Sequence, residues 1–473
     1  MERQAPRRAQ ELRRRPRLRE EIPRAGSAQP FRQDAGKSGL EARAPQSPRV
    51  AFVSTNSISQ GEQVGILWGD LFQRFHLKIH FAHRTFAWAS EARGRAHVHV
   101  VIIGFGAGDV TGKRIFDYDA DATAPVEIPA SNISPYLVEG GDLVVKSRTR
   151  PLCEEPEMQF GSMPNDGGHL LLTPQEKAEL IAEAPDAADY LRRFVGAEEF
   201  LNGVERWCLW LKDAPGAVLR TIPAIARRIA AVRAHREAST RETTKKLAAF
   251  PSLFAEIRQP DDRYILVPGV SSERRKYIPI GFLSPKVIAS NLVNVVPKAG
   301  LWHFGVLSSA IHMAWVRTVG GRLESRYRYS SNIVYNNFPW PSGVSAKQRS
   351  TVEAAAQRIL DLRAEHGDGR VGYLPTPPKS HSATLADLYD PNFMPAALVK
   401  AHAELDRAVE RCYRAEPFRS DRERVEHLFA LYEKLTTLFL TPKTKTRSRR
   451  AASAPSPRPR RGRTPGLPEA GAP

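Results

Sequence analysis

The sequence has only 3 cysteines in 473 residues, Cys153, Cys208 and Cys412, and no two of them form a CxxC pair. This wide spacing argues against a disulfide framework and against a thiolate zinc site, so we assign no metal. The sequence also lacks any apolar run near the roughly 20 residues that a membrane-spanning helix needs. Its N-terminus lacks the apolar core of a secretory signal. These absences predict a cytoplasmic protein without a membrane partner.

The net charge of +19 is concentrated at the two ends of the chain. Residues 1–49 hold 13 Lys and Arg against 6 Asp and Glu, and residues 441–473 hold 9 against 1. Both ends are rich in Pro and Arg without periodicity, which is typical of disorder. We predict a disordered basic leader over 1–49, outside the fold, and a disordered basic tail over 441–473. Either could bind phosphates without sequence preference.

The hydrophobic pattern divides the remaining chain into three parts. Residues 50–115 show a strand, a helix, a second strand, a loop and a buried strand, which is typical of the late part of an α/β domain. Residues 116–345 alternate short apolar runs with turn residues, which indicates a mixed α/β domain. Residues 346–440 have helical periodicity.

Two segments of the middle part have patterns of their own. Residues 222–247 are predicted to form one amphipathic helix with a basic polar side made by Arg227, Arg228, Arg233, Arg236 and Lys245. LWHFGVL, residues 301–307, is predicted to form a strand. In the C-terminal part, AHAELDRAVERCYR from residue 401 is predicted to be an amphipathic helix with its charges in water.

Several sequence blocks are more specific than these patterns. They are STNSISQGEQV from residue 54, FAHRTFAW from 81, HVHVVIIGF from 97, GRLxSxYRYS from 321 and YNNFPWP from 335. Together these blocks closely resemble the MmeI-like family of adenine-specific DNA methyltransferases, in the family's order. The resemblance implies an α/β fold: the remnant of a Rossmann-like methyltransferase sheet, then a mixed α/β target recognition domain and a C-terminal helical domain.

An adenine-N6 methyltransferase needs a Gly-rich turn that holds S-adenosylmethionine and an Asn/Asp-Pro-Pro-aromatic loop that accepts hydrogen bonds from the target amine. The sequence contains neither: Pro377 and Pro378 follow Thr376, and GFGAGD at 104–109 comes after the last strand of its segment. In the resembling family both motifs lie upstream of residue 54. S-adenosylmethionine is therefore the cofactor by resemblance, but its binding site is absent from this chain. We expect a truncated chain that is inactive alone and has no catalytic residue of its own.

The first part can still supply a wall of the base pocket. Methyltransferases extrude the target base and stack it on an aromatic side chain. The resemblance places such a contact in FAHRTFAW, so Phe86 and Trp88 are the stacking candidates; both could instead cap the sheet edge. His83 and Arg84 could contact phosphates of the target strand, although a lone histidine commonly satisfies a backbone group.

Residues 320–341 carry the stronger sign of DNA recognition. Arg can pair with guanine, Glu can accept from the cytosine amine and Asn can bridge adenine. A strand or loop that displays such groups at alternate positions would present several of them on one face. The base-reading candidates here are Arg322, Glu324, Arg326 and Arg328, with the interleaved tyrosines Tyr327, Tyr329 and Tyr335.

SSERRKYIPIGF supplies a second DNA-binding cluster. Its polar residues are Ser271, Ser272, Glu273, Arg274, Arg275 and Lys276. A salt-bridged exposed face is the alternative for both clusters, and the resemblance favours DNA contact.

The sequence thus predicts a site-specific adenine-N6 DNA methyltransferase of a restriction-modification system, retaining target recognition. Double-stranded DNA is the expected partner, and a separately encoded catalytic half is a second. The alternative is a stand-alone DNA-binding specificity protein without catalysis, and a third possibility is general nucleic-acid binding through the tails. The recognised DNA sequence is not predicted.

Overall fold

A computed structural model of the chain describes residues 48–88, 98–118, 124–366 and 383–440. The predicted basic tail and all of the predicted leader except Pro48 and Arg49 lie outside these residues. The connector that contains Pro377 and Pro378 also lies outside them.

The first part of the chain forms a five-stranded mixed sheet with one helix. In chain order its elements are β1 (Arg49–Thr55), α1 (Gly61–Phe75), β2 (Leu77–Trp88), β3 (Val98–Ala107), β4 (Lys113–Asp117) and β5 (Val126–Ala130). The spatial order is β1-β3-β2-β4-β5; β3 is antiparallel to both of its neighbours, and β4 is parallel to β2. Trp68 and Val64 on α1 are fully buried in the same core as Ile79 and Ile103 of the sheet. This arrangement confirms the predicted α/β fold.

Two details of this sheet differ from the sequence prediction. FAHRTFAW is the second half of β2 rather than a loop. It stays paired with β3 because a register shift between His83 and Phe86 absorbs the irregular pattern. The sheet also continues to Ala130, past the predicted boundary at residue 115, because β5 pairs with β4.

The middle of the chain contains three small sheets joined by short helices. Its elements before residue 250 are β6 (Gln159–Phe160), β7 (Leu171–Leu172), α2 (Pro174–Glu183), β8 (Leu191–Val195), α3 (Ala197–Asn202), β9 (Trp207–Leu209), α4 (Gly216–Thr221), α5 (Pro223–Glu237) and α6 (Glu242–Lys246). Those after it are β10 (Tyr264–Pro268), β11 (Val270–Ser271), β12 (Gly281–Leu283), β13 (Ile288–Ala289), β14 (Val293–Pro297), α7 (Leu301–Leu307), α8 (Ala310–Val319), β15 (Gly321–Leu323) and β16 (Arg326–Arg328). The sheets have the orders β12-β10-β14-β6, β13-β8-β9-β7 and β11-β16-β15.

The predicted long helix over 222–247 is wrong in its length and in its polar face. It breaks after Glu237 into α5, α6 and a short 3-10 turn. Arg236, predicted on the polar side, is fully buried. Its guanidinium donates to five carbonyl oxygens at 2.8–3.0 Å, those of Pro164, Asn165, Leu247, Phe250 and Leu253. The chain folds back after α5 because a buried guanidinium must have its donors satisfied.

LWHFGVL forms the helix α7 rather than the predicted strand. The backbone N–H of Gly300 donates to Nδ1 of His303 at 2.9 Å, which caps the first turn. The alternating aromatic residues that suggested a strand are Trp302 and Phe304, and both are buried. Because α7 is covered by other elements on most sides, its pattern does not distinguish helix from strand.

The C-terminal part is helical, as predicted. It contains α9 (Ala346–His366), α10 (Leu385–Leu388), α11 (Ala396–Glu410) and α12 (Asp421–Leu440). Its helices share one hydrophobic core with the middle part of the chain. The ring centroid of Trp315 on α8 is 5.7 Å from that of Phe429 and 5.9 Å from that of Tyr432, both on α12. Within the described ranges, no helix combines the length and apolar character required to cross a bilayer.

The charges of α11 do not all face water, which corrects the prediction for this helix. Asp406 and Glu410 are buried. The Asp406 carboxylate accepts from the hydroxyl of Tyr277 at 2.6 Å and from the backbone N–H of Ala310 at 2.7 Å. Burial raises the pKa of Asp406. These bonds hold α11 against the middle part of the chain, because a buried carboxylate without partners would be strongly destabilising.

A buried histidine makes stability depend on pH. Burial lowers the pKa of His312 to about 3, against about 6.5 in an unfolded chain. Its contribution is therefore complete above pH 6.5 and declines as the pH falls, because only the unfolded state then takes up the proton. Between pH 7.5 and 5.5 the parent should lose about 1.4 kcal/mol more than His312→Gln.

The measurement is urea unfolding of both chains at the two pH values. His366→Gln, at an exposed position on α9, is the control for the substitution itself and should leave the free energy of unfolding at pH 7.5 near the parental value. An equal loss of stability in the parent and in His312→Gln would contradict the assignment.

Candidate nucleic-acid interface

The two predicted basic clusters lie together on one small sheet, which we call the recognition sheet (β11, β16 and β15). β16 is central: it pairs antiparallel with β15 and with β11. Ser271 lies opposite Tyr327, which in turn lies opposite Arg322. The structure therefore unites two segments that are about 50 residues apart in the sequence.

The segment predicted as a strand or loop with base-reading groups at alternate positions is a hairpin. Glu324 and Ser325 form its two-residue tip, and Glu324 has a left-handed φ of 57°. The exposed Glu324 carboxylate accepts from Arg326 at 2.7 Å. Arg326 and Arg328 lie on the same exposed face of β16 because they are two residues apart.

The tyrosines lie behind this face. Tyr327 and Tyr329 are both buried, and the Tyr329 hydroxyl is 3.0 Å from Nε2 of His312. Tyr335 is fully buried and donates to the carbonyl of Pro156. Tyr329 was predicted to contact DNA, but in this structure it is buried and its hydroxyl is next to His312, so it is not available for that contact.

The second cluster forms a turn after β11. The backbone N–H of Arg275 donates to the carbonyl of Ser272 at 3.2 Å. Glu273, Arg274 and Lys276 are exposed, whereas Ser271 is buried. Arg275 is half-buried, and that burial lowers the pKa of its guanidinium. The hydroxyl of Tyr327 donates to the carbonyl of Glu273 in this turn at 3.4 Å, so the turn contacts the side of β16 that carries the buried tyrosine.

The predicted pocket wall is a row of aromatic side chains on β2. Phe86 is half-buried against Tyr118, with ring centroids 4.7 Å apart. His83 stacks on Phe116 at 4.4 Å, and its Nδ1 is 2.7 Å from the Tyr118 hydroxyl. Burial lowers the pKa of His83. Phe86 and His83 are thus covered by neighbours.

Trp88 is the accessible aromatic of the wall. It ends β2, and 48% of its surface is exposed. Its ring centroid is 6.1 Å from that of Phe86. Of the two stacking candidates, it is the one with an open ring face.

Two clefts border the recognition sheet. One, of about 300 Å³, lies between the five-stranded sheet, α8, the hairpin and the start of α12. Because its lining includes Arg84, Arg317, Arg322 and Arg422, we call it the arginine cleft. The other, of about 380 Å³, lies between the start of α1 and the hairpin, and includes Gln60, Glu62, Arg322 and Arg328.

Arg317 and Arg422 of the arginine cleft were not predicted from the sequence. Arg317 is the only Lys, Arg, Asp or Glu in α8, AIHMAWVRTV, and an isolated charge in an apolar helix is a usable signal. Arg422 lies in a helix rich in charges, so its sequence context gives no such signal.

A glycine pair joins the recognition sheet to the methyltransferase-like part. Gly61, at the start of α1, has a left-handed φ of 61°. A Cβ built on it would lie 3.1 Å from the Cα of Gly321, the first residue of β15. The two backbones approach this closely because neither residue carries a side chain.

The described residues offer no fit for S-adenosylmethionine at GFGAGD. Gly104 is required by packing, since a Cβ there would overlap the ring of Phe81 at 2.0 Å. Gly106 lies against the carbonyl of Pro48, 2.9 Å from a built Cβ. Both glycines belong to β3 rather than to a turn at the end of a first strand. Nor do the described residues contain a group of three or more His, Cys, Asp or Glu that could hold a metal ion.

Comparisons with known proteins match most of the chain to a single family. Three family models match it: the MmeI DNA-methyltransferase domain over residues 39–117, the MmeI target recognition domain over 139–342 and the MmeI C-terminal domain over 344–440. The first match begins at residue 39, so it includes the last part of the predicted leader.

Two longer proteins are similar to this chain. It is 44% identical over 389 residues to DNA methyltransferase A of Bacillus subtilis (strain 168), a match that covers 82% of this chain and 42% of that protein. It also resembles the solved structure of the type IIL restriction-modification enzyme MmeI in complex with DNA, with a TM-score of 0.73 and 44% identity over 82% of this chain and 50% of that one. The chain thus spans less than half the length of its curated relative.

The glycine pair generates a test with a matched control on the same helix. Gly61→Ala should destabilise the chain by about 1–2 kcal/mol, because alanine is strained at a left-handed φ. Gly69→Ala should stabilise it by about 0.5–1 kcal/mol, because Gly69 lies inside α1 and a Cβ there would meet no atom within 4 Å. Urea unfolding measures both. Equal effects of the two substitutions would contradict the left-handed backbone conformation of Gly61.

Proposed function

Because this chain belongs to the MmeI family, we propose that it reads a specific duplex DNA sequence for adenine-N6 methylation in a restriction-modification system. The observation that carries the proposal is the recognition sheet, where strand pairing joins two separate basic segments and Arg326 and Arg328 share one exposed face of the central strand. A two-stranded ribbon fits the major groove of B-form DNA, where each base pair presents a distinct pattern of donors and acceptors.

Arg328 is the strongest base-reading candidate. It is exposed on the central strand of the recognition sheet. In the part of the chain that the structure describes, no hydrogen bond or ion pair of its side chain is observed. A free guanidinium can form two parallel hydrogen bonds with guanine O6 and N7. Arg326 must first leave Glu324, so we propose that it reads bases less directly.

Trp88 is proposed to contribute to the pocket for the extruded adenine. Its open ring face suits stacking on a flipped base. Phe86 is proposed to support Trp88 rather than to stack on the base itself, because Tyr118 covers it.

The catalytic half is proposed to dock on β1. This strand is at the edge of the five-stranded sheet and pairs only with β3 among the described strands. Its apolar side chains are exposed, with Val50 at 39%, Phe52 at 45% and Val53 at 58%. A long, exposed and apolar edge strand is a template for pairing with another strand. A separately encoded catalytic half that extends the sheet would cover it and supply the S-adenosylmethionine site.

The sequence-reading role is tested in a chimera that joins this chain to the catalytic half of a related enzyme. Arg328→Ala should relax or change one position of the methylated sequence, with about 1–3 kcal/mol less discrimination there. Sequencing of the methylated DNA gives the site for the parent and the variant. Arg358→Ala, an exposed arginine on α9, should keep the parental sequence. An unchanged site for Arg328→Ala would place base reading elsewhere, with the turn at Ser271 to Lys276 next in line.

The alternative function is a specificity protein that binds DNA without catalysis. Measurements of S-adenosylmethionine binding distinguish it from the proposed function. Because GFGAGD does not fit the cofactor, we expect titration calorimetry to detect no stoichiometric S-adenosylmethionine binding to this chain alone. The chimera should bind one equivalent. Stoichiometric binding to the chain alone would contradict the assignment of the cofactor site to another half. Duplex binding by this chain together with failure of every catalytic half to associate with it would favour the specificity protein.

A further inference from the structure

The arginine cleft lies where the three family-matched parts of the chain meet. Its lining comes from β2 and β4 of the five-stranded sheet, from α8 and β15 of the recognition region, and from the first turns of α12. Its volume of about 300 Å³ exceeds what a single ordered water needs. A ligand here would contact all three parts at once.

The lining of the cleft is positive. It contains four arginines, Arg84, Arg317, Arg322 and Arg422, against two aspartates, Asp117 and Asp421. Both aspartates are already paired: Asp117 with Arg84 at 2.6 Å, and Asp421 with Arg317 at 2.8 Å and with Arg424 at 3.1 Å. The excess positive charge suits an anionic ligand.

Arg322 is the arginine that lacks a carboxylate. Within the described ranges its guanidinium donates to the carbonyl of Ser325 at 3.2 Å and lies 4.0 Å above the ring of Tyr327. Burial lowers its pKa; Tyr327 opposes this shift, and the nearby positive charge of Arg317 adds to it, against the negative charge of Glu273. Two guanidinium groups that repel each other in a partly buried cleft are stabilised by an anion between them.

The arginines are held in place before any ligand arrives. Arg317 donates to the carbonyl of Lys276 at 2.7 Å and to the hydroxyl of Tyr327 at 3.3 Å. Arg422 is paired with Glu139 and with Glu426. Because their side chains are already ordered, binding an anion costs little further conformational entropy.

We propose that the arginine cleft binds a phosphodiester of the DNA strand that crosses the recognition sheet. This rests on the proposed DNA-reading function. Arg322 lines both clefts and Arg328 lines the second one, so a phosphate bound at Arg322 would lie near the exposed Arg328 of β16. The contact would fix the register of the DNA against the five-stranded sheet without reading sequence, as phosphate contacts do.

The test is the salt dependence of duplex binding by the full chain. Arg84→Gln and Arg322→Gln should each reduce the slope of log K against log salt by about 0.9, because one fewer counterion is released. The affinity should fall about equally for all sequences. Arg322→Lys should retain the parental slope, since the charge is kept. Arg358→Gln, on the exposed surface of α9, is the control and should also retain it.

A second measurement uses inorganic phosphate alone. Phosphate should raise the Tm of the parent above that in chloride of equal ionic strength, and the Arg84→Gln, Arg322→Gln double variant should lose this increase. Circular dichroism confirms that the variants fold.

The outcomes separate this proposal from the proposed function. Duplex binding by the parent with parental slopes in both Gln variants would overturn the cleft and leave sequence reading intact. Stabilisation by phosphate with unchanged slopes would identify a site for free anions and also overturn the phosphodiester assignment. Absence of duplex binding by the parent would contradict the proposed function itself, and the cleft's phosphodiester with it.

Discussion

Burial of Trp315 is the constraint on which the arrangement of the chain depends. This side chain lies in the middle of α8, is fully buried and donates from Nε1 to the carbonyl of Val334 at 3.0 Å. It contacts the aromatic rings of α12 on one side and Phe338 of the recognition region on the other. A large indole with its donor satisfied packs two segments into one core. The C-terminal helices therefore pack against the middle part of the chain and share its hydrophobic core rather than forming a separate one.

This shared core determines where charged groups can stand. Arg317 lies two residues after Trp315 on α8, and it forms an ion pair with Asp421 at the start of α12. The same α8 leads directly into the hairpin through Gly320 and Gly321. The recognition sheet is thus positioned by a helix that is buried along most of its length. A rigid support of this kind holds the side chains of Arg326 and Arg328 in a fixed register, which a mobile loop would not do.

Periodicity predicted the elements with clear amphipathic patterns and failed where burial was complete. In the first part β1, α1, the start of β2 and β3 follow from their patterns, and so do the helices α9, α11 and α12. α7 does not, because a segment covered on most sides shows no polar face. Arg236 and Asp406 were placed in water by their residue type, yet each is buried with its partners satisfied. Such partners come from distant segments, so sequence alone does not reveal them.

In β16, too, the sequence predicted some features and missed others. The sequence identified the charged residues of β16, but the turn at Glu324 and the pairing with β11 depend on contacts that no local pattern records. In β16, Tyr327 faces the core while Arg326 and Arg328 face outward. The period of two in a strand therefore separates residues that hold the fold from residues that can meet DNA. Exchange of the outward arginines leaves the buried tyrosine contacts intact, so this strand can change its chemistry toward DNA without a change in its packing.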